Sequence, residues 1–147
     1  MEKSRIAQFT AYFQSDSTAV WNAMTDHTDF SWRSDLTRIN TVNDREFIEI
    51  FKNGNETRFL ITEKEPCRKY AFHMEHTLFT GEWSGAFTDL PDRRTKVVLT
   101  ERLCFKNPAI YLLSFFAMNL KSMQKRYIRD LKKKLGEPGN GDINGNQ

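Results

Sequence analysis

Two rhythms of apolar residues divide this chain. Between residues 36 and 105, apolar and polar positions alternate in short runs, the period of strands with one covered face. Beyond residue 107 apolar positions recur three or four apart, the period of a helix. The alternating part resolves into strands at 36–42, 45–52, 56–64, 69–77, 80–90 and 96–105. Turn-forming residues separate them: Asn43-Asp44, Asn53-Gly54, Pro66-Cys67, Leu78-Phe79 and the loop from Pro91 to Thr95. Ahead of this meander, residues 6–13 alternate weakly and predict a first strand carrying Phe9, Tyr12 and Phe13. Ser15-Asp16-Ser17-Thr18 is a helix-start cluster, and Val20, Trp21 and Met24 share one face of the short helix that follows. Residues 27–35, with Phe30 and Trp32, read as irregular or as a second short helix.

The helical rhythm predicts one continuous helix from Asn107 to Leu135. Asn107 can cap its first amides and Pro108 suits the first position, where no N–H is needed. Gly136 and Pro138 end it. Leu113, Phe116, Ala117, Leu120, Gln124, Tyr127, Leu131 and Leu135 fall on one face. Such a helix is roughly 40 Å long. Following a run of strands, it must lie on their sheet to bury its stripe, which gives an α+β architecture.

Residues opposite one another across a hairpin point the same way, so turn positions identify the inner face. A two-residue turn at Pro66-Cys67 pairs Glu63 with Tyr70, Ile61 with Phe72 and Phe59 with Met74. A turn at Leu78-Phe79 pairs Met74 with Trp83, Phe72 with Gly85 and Tyr70 with Phe87. The Pro91–Thr95 loop pairs Phe87 with Leu99, Gly85 with Glu101 and Trp83 with Leu103. The opposite face carries Arg58, Thr62, His73, Glu75, Glu82, Ser84, Thr88, Thr100 and Arg102, a solvated surface. The same arithmetic at Asn53-Gly54 and Asn43-Asp44 puts Ile50, Ile48 and Ile39 inside and leaves Phe47 and Phe51 outside, as an edge or a dimer patch.

Composition narrows the class. With 147 residues, 39% apolar and 12 Phe, one domain over residues 1–136 is expected, followed by a disordered tail at 137–147. A net charge of +3 is too small to imply a nucleic-acid partner. Cys67 and Cys104 are read as reduced thiols, which points to the cytoplasm, and the first residues lack the apolar core of a signal peptide. The apolar run at 109–118 is too short to span a bilayer.

The chain resembles the START-like, or helix-grip, superfamily, and most closely its bacterial polyketide cyclase/dehydrase-like (SRPBCC) branch. The residues that carry the resemblance are Ala19-Val20-Trp21-Asn22-Ala23-Met24-Thr25-Asp26 and Trp32, then Ile61-Thr62-Glu63-Lys64-Glu65-Pro66 and Gly81-Glu82-Trp83. Thr95-Lys96-Val97-Val98-Leu99-Thr100-Glu101 and the closing helix complete it. The resemblance implies a seven-stranded antiparallel sheet curved around a long C-terminal helix, with two short helices between strands 1 and 2. It also implies an apolar cavity between sheet and helix, and it carries over no catalytic set.

Residues expected to line that cavity are Trp32, Phe59, Ile61, Tyr70, Phe72 and Trp83, with Gly85, Phe87, Leu99, Glu101, Phe116 and Leu120. Gly81 and Gly85, beside large aromatics, leave space there. Glu101 is the one carboxylate that the pairing puts among apolar neighbours. Burial raises a carboxyl pKa, which suits a general acid or base or an anchor for a polar ligand head. A structural glutamate paired at the cavity rim is the alternative. Glu63 facing Tyr70 is expected as a satisfied rim pair. His73 and His76, three apart in a strand, face opposite ways, and no metal or cofactor is expected. The lysines and arginines of the last helix suit its C-terminal end and a solvated face.

Three functions follow as expectations. The first is a binding protein for a small hydrophobic or amphipathic ligand, of lipid, isoprenoid or polyketide-like kind. The second is a cyclase/dehydrase-type enzyme using Glu101. The third is a structural or interaction protein, a homodimer through Phe47 and Phe51, with no ligand. Neither a nucleic-acid partner nor stable membrane insertion is expected.

Overall fold

The computed structural model describes residues 3–138. Seven strands form one antiparallel sheet: β1 (Ser4–Phe13), β2 (Leu36–Thr41), β3 (Glu46–Phe51), β4 (Glu56–Glu65), β5 (Lys69–Glu75), β6 (Phe79–Leu90) and β7 (Arg94–Phe105). Their order is β1-β7-β6-β5-β4-β3-β2, a meander whose last strand takes β1 on its free edge. Three helices complete the α+β fold: α1 (Ser17–Thr25), α2 (Pro108–Ala117) and α3 (Leu120–Lys134). No helix among the described residues is long and apolar enough to cross a membrane.

Asp16 caps α1 by accepting from the Ala19 N–H, and the helix buries Val20, Trp21 and Met24 against the sheet. The second short helix between β1 and β2 does not form. Asp26 instead accepts from the Thr28 N–H and hydroxyl, and the Asp29 carbonyl accepts from Trp32 Nε1. Short polar side chains that bind nearby backbone compete with helix formation in this way.

The segment 107–135 is two helices rather than one. Met118 and Asn119 leave the helical conformation, and Asn119 starts α3 by accepting from the Ser122 N–H. Arg5 of β1 holds the end of α2: its Nη1 donates to the carbonyls of Ser114 at 2.8 Å and Met118 at 2.9 Å. At about 22 Å, α3 alone crosses the sheet, burying Leu120, Gln124, Ile128 and Leu131. The break turns α2 so that Leu112, Leu113, Phe115 and Phe116 are exposed. Phe116, expected on the cavity wall, is 90% exposed.

Register differs from the hairpin arithmetic in two distinct ways. Across β5, β6 and β7 it slips by two residues: Phe72 pairs with Trp83, Tyr70 with Gly85, Trp83 with Glu101 and Gly85 with Leu99. The cause is turn position, since the β5–β6 turn closes with the His76 N–H on the Phe79 carbonyl and the β6–β7 turn runs through Asp92 and Arg93 at positive φ. A slip of two keeps every side chain on its face. At the other end the slip is odd. β3 pairs with β4 as Phe47–Phe59 and Glu49–Thr57, and with β2 as Ile39–Glu49. That flips β3, so Phe47 is inside with 2% exposure, Glu49 is buried and Phe51 faces the cavity. The dimer patch expected from Phe47 and Phe51 therefore does not exist. A bulge between Ile61 and Glu63 also separates Glu63 from Tyr70; Glu63 pairs with Lys69 at 3.1 Å on the surface.

Of the expected tail, Glu137 accepts from the N–H groups of Gln14 at 2.8 Å and Ser15 at 2.9 Å, which ties the end of α3 to the end of β1. The rest of that stretch, beyond Pro138, lies outside the described residues.

Candidate ligand cavity

The inner face of β2 to β7, the loop at 26–35 and the first half of α3 line a partly open cavity of about 130 Å³. Its wall is aromatic because alternate positions of four neighbouring strands bring rings into register. Phe47 stacks on Phe59 at 4.9 Å, Phe59 meets Phe72 edge-on at 5.1 Å, and Phe72 stacks on Trp83 at 4.7 Å. Tyr127 of α3 closes the ring set from above, meeting Trp83 at 5.9 Å and Trp32 at 5.5 Å.

Of the residues singled out in the sequence, Trp32, Phe59, Tyr70, Phe72, Trp83, Leu99 and Glu101 lie on this wall. Ile61, Phe87 and Leu120 are buried in the core away from it. Gly85 is also off the wall. A side chain there would meet Met24 and Trp83 at 3.5 Å and Leu99 at 3.6 Å, since α1 covers that end of the sheet. Phe87 packs edge-on against Trp21 of α1 at 5.3 Å for the same reason.

Glu101 keeps part of its surface open to the cavity, and among the described residues no hydrogen bond or ion pair reaches its carboxylate. Burial, and secondarily the negative charge of Glu49, pushes its pKa up from 4.5 to about 7. Near neutral pH it is therefore divided between acid and carboxylate, able to hold or release a proton.

The other ionised groups on the wall are satisfied. Arg33 donates from Nη1 to Glu49 at 3.1 Å, and from Nε and Nη2 to Asp35 at 3.1 Å each. Its guanidinium also lies 5.0 Å from the centre of the Tyr127 ring. Burial works against its charge, but Glu49 and Asp35 outweigh burial and hold Arg33 protonated. Burial likewise works against the Asp35 carboxylate, and Arg33 outweighs it, keeping that pKa below the usual range. His27 Nε2 and the Tyr70 hydroxyl share a hydrogen bond of 2.9 Å. Burial, and then the charge of Lys64, lowers the His27 pKa from 6.5 to about 4, so this imidazole is neutral. Burial pushes the phenols of Tyr70 and Tyr127 upward.

Sequence reasoning missed Arg33, Glu49 and His27. Glu49 was legible in the spacing Phe47-x-Glu49-x-Phe51, which puts all three on one face, although only the odd slip of β3 turns that face inward. Arg33 and His27 sit in a loop without periodicity, and nothing in the sequence pairs them with β3 or β5. On the outer face His73 binds Glu75 and Glu82 at 3.2 and 3.0 Å. Among the described residues no group of His, Cys, Asp or Glu is placed to hold a metal, and Cys67 and Cys104 are not joined in a disulfide.

No protein-family model matches the chain, and no curated protein matches its sequence. Solved structures do match the fold. A START superfamily protein from Mycobacterium smegmatis superposes with a TM-score of 0.72 at 8% identity, covering 89% of this chain and 97% of that one. The Zhui aromatase/cyclase from a Streptomyces species gives 0.72 at 14% identity, covering 90% and 92%. A conserved protein from Geobacillus kaustophilus gives 0.69 at 11% identity, covering 90% and 95%.

Proposed function

From the START-like helix-grip fold of the polyketide cyclase kind that this chain has, we propose that the protein binds a small hydrophobic or amphipathic ligand between the sheet and the C-terminal helix. Lipid, isoprenoid and polyketide-like compounds are the classes in view. One observation carries the reading: an aromatic-walled space inside the fold, with a few polar groups at defined places. A cavity of about 150 Å³ admits a benzene-sized molecule. At about 130 Å³ this one has the size for a single ring or the end of a chain. Native mass spectrometry and thermal melts with isoprenoids, fatty acids and aromatic polyketides test it. A ligand present at about 100 times its Kd adds about 2.7 kcal/mol of stability and raises the melting temperature. No bound or stabilising compound across the panel overturns the reading.

A second reading rests on Glu101. A carboxyl with a pKa of about 7 inside a ligand cavity suits proton transfer in a cyclase- or dehydrase-type reaction. Glu101→Gln keeps the shape and removes the transferable proton. Full turnover by that variant on a substrate the wild type converts excludes the role.

A further inference from the structure

Two acceptors beside the cavity have no hydrogen-bond partner among the described residues; the Trp83 indole N–H and the hydroxyls of Tyr127 and Thr57, on the same wall, have none either. The first acceptor is the Glu101 carboxylate. The second is Oε1 of Gln124, a side chain with 4% exposure whose oxygen is buried without a hydrogen bond. The orientation of this amide is fixed, because its Nε2 donates to the Ala7 carbonyl at 3.0 Å. That bond also locates Gln124 against its neighbour: Ala7 of β1 is the residue paired directly with Glu101 of β7. Glu101 from the sheet and Gln124 from α3 are thus both anchored at the same place on β1.

Charge on the wall points the same way. Asp26, Asp29, Asp35, Glu49 and Glu101 line the cavity against one guanidinium, Arg33, whose donors are already engaged by Asp35 and Glu49. An anionic head group finds no open cation there, whereas a cationic one finds an open carboxylate beside aromatic faces that favour it.

We propose that the ligand is an amine: a small aromatic or alkyl body in the ring cage, carrying a protonated ammonium that pairs with Glu101. This rests on the cavity being a ligand site and adds the head-group chemistry. No covalent step is involved. Titratable groups that line the cavity with Glu101 are Glu49 on β3, Asp26, Asp29, Arg33 and Asp35 in the 26–35 loop, Tyr70 and its partner His27, and Tyr127 on α3. Of these, His27 is neutral, Arg33 is held protonated, the pKa of Asp35 is lowered and those of the two phenols are raised, whereas that of Glu101 is brought to about 7.

The test uses the full chain and three probes with similar bodies: phenethylamine, phenethyl alcohol and phenylacetate. Calorimetry and tryptophan fluorescence, through Trp32 and Trp83 on the wall, read the binding. At about pH 8 Glu101 is ionised and an alkylammonium is still charged. There the amine should bind about tenfold or more tighter than the alcohol, the gain expected of a charge-assisted contact, with the carboxylate weakest. At about pH 6 the advantage should shrink as Glu101 takes up its proton. In Glu101→Gln, amine and alcohol should bind alike. An amine that binds no better than the alcohol at the higher pH overturns the proposal, as does an advantage that survives Glu101→Gln or a preference for phenylacetate. Should the variant fail to fold, the pH series on wild-type protein decides by itself, since a pH-independent preference also overturns the proposal. Binding of the alcohol without preference for the amine sinks the head-group assignment alone. Failure of all three probes overturns the amine assignment, while the ligand site itself stands or falls on the panel of isoprenoids, fatty acids and aromatic polyketides.

Discussion

Gly81 and Gly85 lie on the inner face of β6, and sequence alone makes both look like space left for a ligand. Their surroundings differ. A Cβ at Gly81 would stand 2.8 Å from the Arg102 carbonyl, the Leu103 methyl and the Met74 methyl. The first of these is backbone and cannot yield cheaply. A Cβ at Gly85 would meet only side chains, at 3.5 to 3.6 Å, which is ordinary contact. Gly81→Ala should therefore cost about 1–3 kcal/mol through overpacking, and Gly85→Ala should be neutral or slightly stabilising, because a strand loses a flexible residue. Gly85→Leu, with further atoms driven into Met24 and Leu99, should cost about as much as Gly81→Ala. Urea denaturation of the three variants checks the order. Equal stability of Gly81→Ala and Gly85→Ala refutes the distinction between backbone and side-chain crowding.

At the scale of elements, the break between α2 and α3 decides which apolar residues reach the core. Asn119 binds the Ser122 N–H, and Arg5 takes the carbonyls that end α2. These are the devices by which a chain satisfies helix-end groups. Neither looks like a stop in the sequence: no proline or glycine stands at 117–120, and Arg5 lies on the first strand. Asn119→Ala should cost about 1 kcal/mol through loss of the cap. Amide exchange in the first turn of α3 should accelerate, while amides of β6 and β7 exchange only as global stability dictates. Unchanged exchange at Ser122 contradicts the capping role. Strand registers follow similar logic. Turn residues located the hairpins but not the number of residues each loop holds, and only the odd slips around β3 changed what faces the cavity.

For the molecule as a whole, two buried groups oppose one another in their response to pH. Glu101 has a pKa raised by burial, and then by Glu49, from 4.5 to about 7. Between those values the folded protein keeps a proton that the unfolded chain releases. Stability from this group therefore falls as pH rises through that window, by about 3 kcal/mol in full. His27 has a pKa lowered by burial, and then by Lys64, from 6.5 to about 4. Below 6.5 the unfolded chain takes up a proton that the folded protein refuses, so stability from this group falls as pH drops, by a similar amount of about 3 kcal/mol. In the overlap, from 4.5 to 6.5, unfolding releases one proton and takes up another, and the two slopes cancel. Glu101→Gln should expose the acid-side loss and gain stability above neutral pH. His27→Gln should expose the opposite slope, with stability falling toward pH 7. Thermal melts from about pH 4 to 8 on wild type and both variants check this. Parallel curves for all three deny that either group titrates as its burial requires.

The layer architecture is legible in the order of residues alone. Alternation between residues 36 and 105 specifies strands, and turn residues at Asn53-Gly54 and Pro66-Cys67 join them as hairpins. A three-and-four spacing from Leu120 to Leu131 specifies a helix that covers their sheet. The alternation also put Glu101 among aromatic neighbours, because a register error of two residues leaves the face unchanged. The rest of the site comes from packing between elements. Glu49 came inside through loop lengths that local chemistry does not fix, and Arg33 and His27 came from a segment with no period. The pairing of Gln124 with Ala7 depends on where α3 begins, which Arg5 and Asn119 settle from opposite ends of the chain. Periodicity encodes which side of an element faces the core. The meeting of residues from separate elements is set by packing, where loop lengths, caps and buried charges act together.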